Sequence, residues 1–254
     1  MPERDDVLIL AYHAVSDTWP AALAVSEADL RRQLRSLVDD GYRGATLSEA
    51  LASGAGEKLL VTSFDDAYGS VLERALPVLQ ELGLPGTVFV PTDWPGRTPM
   101  TWPGIEQWVG GPHEAEMRCL SWDELSRLVD LGWEVGSHTC SHPHLTMLGD
   151  EALRRELLDS RLVCEERLGR PCPTIAYPYG DHDDRVIAAA GEAGYRWACA
   201  LPDRTLPVHD LRLSRVGVYR DESWLRFRAK VSPLVRRVRA TGMVEPLVRR
   251  LRRA

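Results

Sequence analysis

Long hydrophobic runs are missing from this chain of 254 residues. No stretch approaches the roughly 18 apolar residues that a membrane-spanning helix needs. A disulfide framework is missing too: the five cysteines (Cys119, Cys140, Cys164, Cys172 and Cys199) are odd in number and scattered. That usage fits a reducing compartment. The first apolar run, VLILAY, follows acids and is too short for a signal h-region. These features lead to the expectation of a cytoplasmic protein. No glycine-rich phosphate loop follows that run, which weighs against a nucleotide-binding sheet. Neither an internal repeat nor a low-complexity segment occurs.

What is present is an alternation of strand-like and helix-like segments. Val7 to Tyr12 is a continuous apolar run of strand length, and Leu60 to Phe64, Thr87 to Val90, Trp133 to Gly136 and Thr174 to Tyr177 follow it. Further strands are expected near Trp197 to Leu201 and Leu213 to Val218. Between them lie helix patterns. One is capped by Ser26 and runs to about Asp40, one covers roughly Ser70 to Leu82, and one opens on the Ser121–Glu124 capping box. Two more cover Asp150 to Leu168 and Asp183 to Ala193. Short apolar strands alternating with helices imply βαβ units and a largely parallel sheet. Seven or eight strands in this length favour a closed or nearly closed (β/α) barrel over an open sheet.

In such a barrel, chemistry belongs at the C-terminal ends of the strands. The polar residues found there are His13, Asp65-Asp66, Ser137-His138 and Tyr177-Pro178-Tyr179. His138 and His142 are four apart, so one helical turn would aim both imidazoles the same way. Two neutral imidazoles and one carboxylate make a facial triad that leaves coordination positions open. A lone Asp-Asp pair is most often a cap or a solvated turn, and a lone His-x-x-x-His is weak. Each following an apolar strand, in one chain, they reinforce one another. Thr92 to Cys119 is a 28-residue connection carrying Trp94, Trp102 and Trp108. Either these tryptophans only pack the loop onto the barrel, or at least one lines a sugar groove, since aromatic faces suit pyranose rings.

Ser63-Phe64-Asp65-Asp66-Ala67 resembles the first motif of the polysaccharide deacetylases, carbohydrate esterase family 4, also called the nodulation-protein-B homology domain. Gly136-Ser137-His138-Thr139-Cys140-Ser141-His142-Pro143 is similar to the second motif. Ala176-Tyr177-Pro178-Tyr179-Gly180-Asp181 resembles the third in a Tyr-Pro-Tyr-Gly variant, and Ala11-Tyr12-His13-Ala14-Val15 the opening strand of one subgroup. The resemblance covers about residues 7 to 220. It implies a distorted (β/α)7-type barrel in a single domain, acting on N-acetylated sugars in polysaccharides, oligosaccharides or glycolipids. Carried over by position, it makes Asp66, His138 and His142 the metal ligands and Asp65 the catalytic base. The Tyr179 backbone N–H then stabilises the oxyanion. Zinc is the default ion, and iron, cobalt or nickel suit the same donors.

Two departures stand out. The family's third motif begins with an arginine that orients the catalytic aspartate, and here that position is Ala176. Arg215, on the late strand, is a substitute, with a surface ion pair as its ordinary alternative. The family's late histidine, a general acid, has no counterpart. His13 is better placed for that part than His209, unless it is a core histidine satisfied by backbone. Two other functions therefore stay open: a barrel hydrolase of a non-sugar amide, and a carbohydrate-binding pseudoenzyme. The charge is also uneven. Residues 226–254 hold ten Lys/Arg and one Asp/Glu, a charge of +9, so the total of −6 leaves −15 on residues 1–225. The division is thus a barrel over 1–225 and a basic amphipathic helical tail over 226–254. The tail suits an anionic membrane surface or docking on the acidic barrel, while nucleic acid is disfavoured because the body repels phosphate.

Overall fold

The computed structural model describes residues 7–53, 56–201 and 209–240. Val7–Tyr12 (β1) leads into two short strands, Ala14–Val15 (β2) and Ala24–Val25 (β3), which pair with each other. Glu27–Asp39 (α1) follows, capped by Ser26, whose hydroxyl accepts the Asp29 N–H at 3.1 Å. It buries Leu30, Leu34 and Leu37, one stripe at helical spacing. Arg43–Gly44 (β4) and Leu47–Ala52 (α2) precede Leu59–Phe64 (β5). A π-helical turn over Val71–Ala75 runs into Leu76–Glu81 (α3). Then come Thr87–Val90 (β6), Trp122–Asp130 (α4), Glu134–Ser137 (β7), Asp150–Leu168 (α5), Thr174–Ala176 (β8), Asp184–Glu192 (α6) and Trp197–Ala200 (β9). Leu213–Ser214 (β10), Val216–Gly217 (β11), Trp224–Val231 (α7) and Pro233–Ala240 (α8) complete the described chain.

The strands pair in parallel in the order β10-β9-β8-β7-β6-β5-β1-β11. The late strand expected over Leu213 to Val218 is divided at Arg215. Its first half bonds to β9 and its second half to β1. One divided strand therefore joins the two edges of the sheet, and seven strand positions form a nearly closed (β/α)7-type barrel. The expected barrel is the observed one.

Alternation along the strands sets what faces inward. Ile9, Val61, Phe89, Ala176, Cys199 and Leu213 form one buried cluster, while Leu8, Leu10, Leu60, Val88 and Val90 pack in a second with the helices. Parity then carries forward. Asp65 lies four residues beyond Val61, His13 four beyond Ile9, and Arg215 two beyond Leu213, so all three emerge on the inward side.

The C-terminal helices are part of this packing. Phe227 and Val231 of α7 are buried in the larger cluster. Arg228 pairs with Asp40 at 2.7 Å, Lys230 with Glu222 at 2.6 Å, and Arg236 donates to the Val7 carbonyl at 2.9 Å. The later apolar set of the tail, Val244, Leu247, Val248 and Leu251, lies outside the described residues. No described helix is long and apolar enough to cross a membrane.

Candidate metal centre

Asp65 and Asp66 follow β5 directly. The Asp65 N–H still bonds to the Tyr12 carbonyl at 2.9 Å, extending the pairing of β5 with β1. Asp66 then turns into the left-handed region, φ 68°, and Ala67 continues there at 53°. That break sends the two adjacent carboxylates in different directions. His138 follows β7 in the same way, its N–H on the Val90 carbonyl at 2.8 Å. Gly136 lets β7 approach this closely, since a Cβ there would sit 2.5 Å from Thr174 Oγ1 and 2.7 Å from the Phe89 ring.

The two histidines converge by a route that helical spacing does not describe. Residues 138–142 are not a helical turn: Thr139 and His142 both take positive φ, 68° and 65°. The loop is held by Glu156 of α5, which accepts from the Cys140 N–H at 2.8 Å, the Ser141 N–H at 3.0 Å and the Ser141 hydroxyl at 2.6 Å. Thr139 Oγ1 accepts the His142 N–H at 3.2 Å. The pair faces one point because a strained loop is pinned from behind.

The outcome is a compact triad. His138 Nε2 and His142 Nε2 each lie 3.4 Å from Asp66 Oδ1. All three residues are buried, and they form the one group of three or more His, Cys, Asp or Glu found suited to an ion among the described residues. A separation of 3.4 Å is long for a hydrogen bond but natural for ligands sharing an ion at about 2.0–2.2 Å. Asp66 Oδ1 is buried with no hydrogen-bond partner among the described residues. The donor set therefore fits a divalent cation. His138 donates from Nδ1 to the Ala176 carbonyl at 2.7 Å, which leaves Nε2 free to coordinate.

Charge is distributed unevenly here. Burial pulls the His142 imidazole down to about 3, so it is neutral at ordinary pH. Burial also pushes His138 down, but the Asp66 and Asp65 carboxylates outweigh it and raise the imidazole, so a cation competes with a proton there. For Asp65, burial pushes the carboxyl up. The Arg215 guanidinium, helped by His138, more than offsets this and holds it well below the usual carboxylate range.

Arg215 meets Asp65 in a bidentate pair, Nη1 to Oδ1 at 2.6 Å and Nη2 to Oδ2 at 2.7 Å. It is 1% exposed, lies 5.6 Å over the Phe89 ring, and also donates to Ser63 Oγ at 3.2 Å. The surface-pair alternative is thereby overturned. His13 Nε2 stands 4.0 Å from Asp65 Oδ2, with its Nδ1 buried and unpartnered among the described residues. It is not satisfied by backbone. Tyr179, at φ 59°, turns its ring edge-on to His142 at 4.6 Å and stacks on His144 at 4.0 Å. Burial, with Asp66 nearby, pushes its phenol up to about 12. All seven residues singled out in the sequence thus gather at one end of the barrel.

Two further contributors carry no clear signal in the sequence. Glu156 reads there as one more charge on a helix, and Ser63 as a motif filler. Trp102 is buried against His142 rather than left open on a groove, ring centroids 4.2 Å apart. Near the third motif, Asp183 caps α6 as a helix-opening acid should, whereas Asp181 accepts from the Thr146 N–H and hydroxyl at 3.2 and 2.8 Å.

Comparison with known proteins places the family and the fold. The poly-beta-1,6-N-acetyl-D-glucosamine N-deacetylase of Staphylococcus aureus (strain MRSA252) is 26% identical over 196 residues, covering 72% of this chain and 63% of that protein. The chain spans 62–63% of the length of the curated relatives it matches. A polysaccharide deacetylase from Bacillus cereus superposes with a TM-score of 0.71 at 25% identity, over 89% of this chain and 69% of that one. The Streptococcus pyogenes deacetylase PplD, in complex with acetate, shares the fold with a TM-score of 0.72 at 21% identity, over 89% of this chain and 98% of that one. With the polysaccharide deacetylase family model matching residues 52–198, more than half of its length, the chain belongs to the polysaccharide deacetylase family.

Proposed function

We propose that this chain is a metal-dependent deacetylase that removes acetyl groups from an N-acetylated sugar. The observation that carries the reading is the Asp66–His138–His142 triad, two imidazole nitrogens 3.4 Å from an unpartnered carboxylate oxygen, beside a second carboxylate held separately by Arg215. A ligand and a base are thus supplied by neighbouring residues with different partners. When bound, a divalent ion polarises the acetamide carbonyl and acidifies a water, bringing that water within reach of a carboxylate base as weak as Asp65. Zinc is the first choice for two histidines and a carboxylate, with iron, cobalt and nickel suited to the same donors.

Asp65 takes the proton from the attacking water. Arg215 keeps that carboxylate ionised and fixes the plane of its two oxygens, the usual virtue of a bidentate guanidinium. The Tyr179 backbone N–H donates to the oxyanion as the carbonyl becomes tetrahedral. His13, at 4.0 Å from Asp65, gives a proton to the departing amine. The sugar is inferred from relatives, among them the Staphylococcus aureus enzyme named for poly-beta-1,6-N-acetyl-D-glucosamine.

The test is acetate release by zinc- or cobalt-loaded protein from β-1,6- and β-1,4-linked N-acetylglucosamine oligomers, peptidoglycan fragments and N-acetylglucosaminyl lipids. Release from one of these classes, abolished by chelation and restored by metal, is the expected result. A metal-loaded protein that frees no acetate from any of them, yet binds one tightly, would return the reading to a sugar-binding barrel.

A further inference from the structure

The two histidines of the triad are held in different ways. His138 has the hydrogen-bonded support that ligating imidazoles ordinarily show, Nδ1 donating to the Ala176 carbonyl. His142 does not: its Nδ1 is buried and has no hydrogen-bond partner among the described residues. Its ring is fixed by aromatic packing instead. The Trp102 indole lies nearly flat on it, with 23° between the planes, and the Tyr179 ring meets it edge-on. Trp102 is backed edge-on by Trp94 at 5.8 Å.

Trp102 arrives on the long connection between β6 and α4. Met100, Ile105 and Met117 of that connection are buried in the larger cluster. The connection is closed by the Met100 N–H on the Met117 carbonyl at 2.9 Å and the Cys119 N–H on the Arg97 carbonyl at 3.0 Å. Its ends are tied to the barrel, with the Thr92 N–H on the Thr139 carbonyl and the Leu120 N–H on the Ala67 carbonyl. Its middle reaches the triad through Trp102 and through the Tyr179 hydroxyl, which donates to the Pro103 carbonyl at 3.3 Å.

We propose that Trp102 is a positioning residue of the metal centre. Its indole replaces the missing hydrogen-bond partner of His142 and thereby couples the 97–117 segment to cation occupancy. This rests on the reading of Asp66, His138 and His142 as cation ligands. An imidazole held only by ring contacts has its tilt set by the plane that covers it. A segment that presents that plane raises cation affinity, and by reciprocal linkage the cation favours the segment position that presents it. A flat aromatic should serve at 102 where an aliphatic side chain does not.

The experiment uses the full chain, stripped of metal and titrated with Zn2+ and with Co2+ by calorimetry. Wild type is compared with Trp102→Phe and Trp102→Leu, and amide exchange over residues 97–117 is followed with and without Zn2+. Trp102→Leu is expected to weaken both ions by about 10–100-fold, the scale on which outer supports of ligands act, and Trp102→Phe to stay close to wild type. Zn2+ should slow exchange across 97–117 in wild type and lose that effect in Trp102→Leu. Wild-type affinity in Trp102→Leu overturns the inference, as does wild-type exchange that is indifferent to Zn2+. The exchange measurement on wild type still decides the matter where the leucine variant fails to fold. Tight Zn2+ binding insensitive to residue 102 overturns this inference alone, whereas a wild-type chain that binds neither ion overturns the cation site as well.

Discussion

The two ends of the barrel are built on opposite principles. At the N-terminal end, Glu134, Thr174 and Thr87 each open a strand; Glu134 and Thr87 accept from the first residues of α2, and Thr174 donates to Glu134. Glu134 accepts from the Ser48 N–H at 2.8 Å, the Ser48 hydroxyl at 2.7 Å and the Thr174 hydroxyl at 2.8 Å, while Thr87 Oγ1 accepts the Leu47 N–H at 3.0 Å. An acid at a helix N-terminus is also favoured by the helix dipole. The C-terminal end is strained and incomplete. Five of the six non-glycine residues with positive φ among the described residues are there: Asp66, Ala67, Thr139, His142 and Tyr179. So are Asp66 Oδ1, His13 Nδ1, His142 Nδ1 and Arg215 Nε, all buried without hydrogen-bond partners among the described residues. Left-handed backbone costs of order 1–3 kcal/mol per residue and persists only where the surroundings over-determine it. One end is thus arranged for stability and the other to keep polar groups available to something bound.

Substitutions at the two ends should therefore fail in different ways. The largest effect is expected from Asp66→Ala or His142→Ala, which should remove metal and acetate release together, read by metal analysis and turnover. Full turnover without His142 would sink its place as a ligand. Next comes Asp65→Asn, expected to keep its metal and lose on the order of 10²–10⁴ in rate, the scale of a lost general base. Loss of the ion as well would make Asp65 a ligand.

Arg215→Ala should cut both turnover and stability. An arginine on a late strand would ordinarily spare the melting temperature, but burial of Arg215 against Asp65 reverses that expectation. Removing one partner strands a buried carboxylate, which costs about 3–5 kcal/mol. Urea unfolding of the metal-free protein measures this, and an unchanged midpoint would show that Asp65 finds another partner. The smallest effect belongs to the other end. Glu134→Ala should lose about 1–3 kcal/mol by leaving α2 donors unpaired, with turnover per folded molecule unchanged. A fall in turnover there would join two ends that the geometry separates.

Much of the fold is legible in the amino-acid sequence. The runs at Val7 and Thr87 are strands at the expected residues, and Ser26 and Ser121 cap the expected helices. The short helix α2, although it has a Thr46–Glu49 capping box, is not among the expected elements, because six residues are too few for helical periodicity to stand out. The His138–His142 spacing points to the right pair for the wrong reason: sequence counts residues between two side chains, and the left-handed turns at Thr139 and His142 decide where they aim.

Sequence by itself determined the alternation of strands and helices and the placing of His13, Asp65-Asp66 and His138 just after strands, because both follow from runs and periods of a few residues along one chain. Tertiary structure alone decided that Arg215 grips Asp65 across 150 positions, that Trp102 covers His142, and that Glu156 pins the loop between the two histidines. The first depends on a strand that divides at Arg215 to join both edges of the sheet, so that the last barrel strand lands beside the first. The other two depend on how a long loop and a helix settle on the barrel. No local period encodes such meetings, since they are fixed only when register, closure and packing are satisfied together.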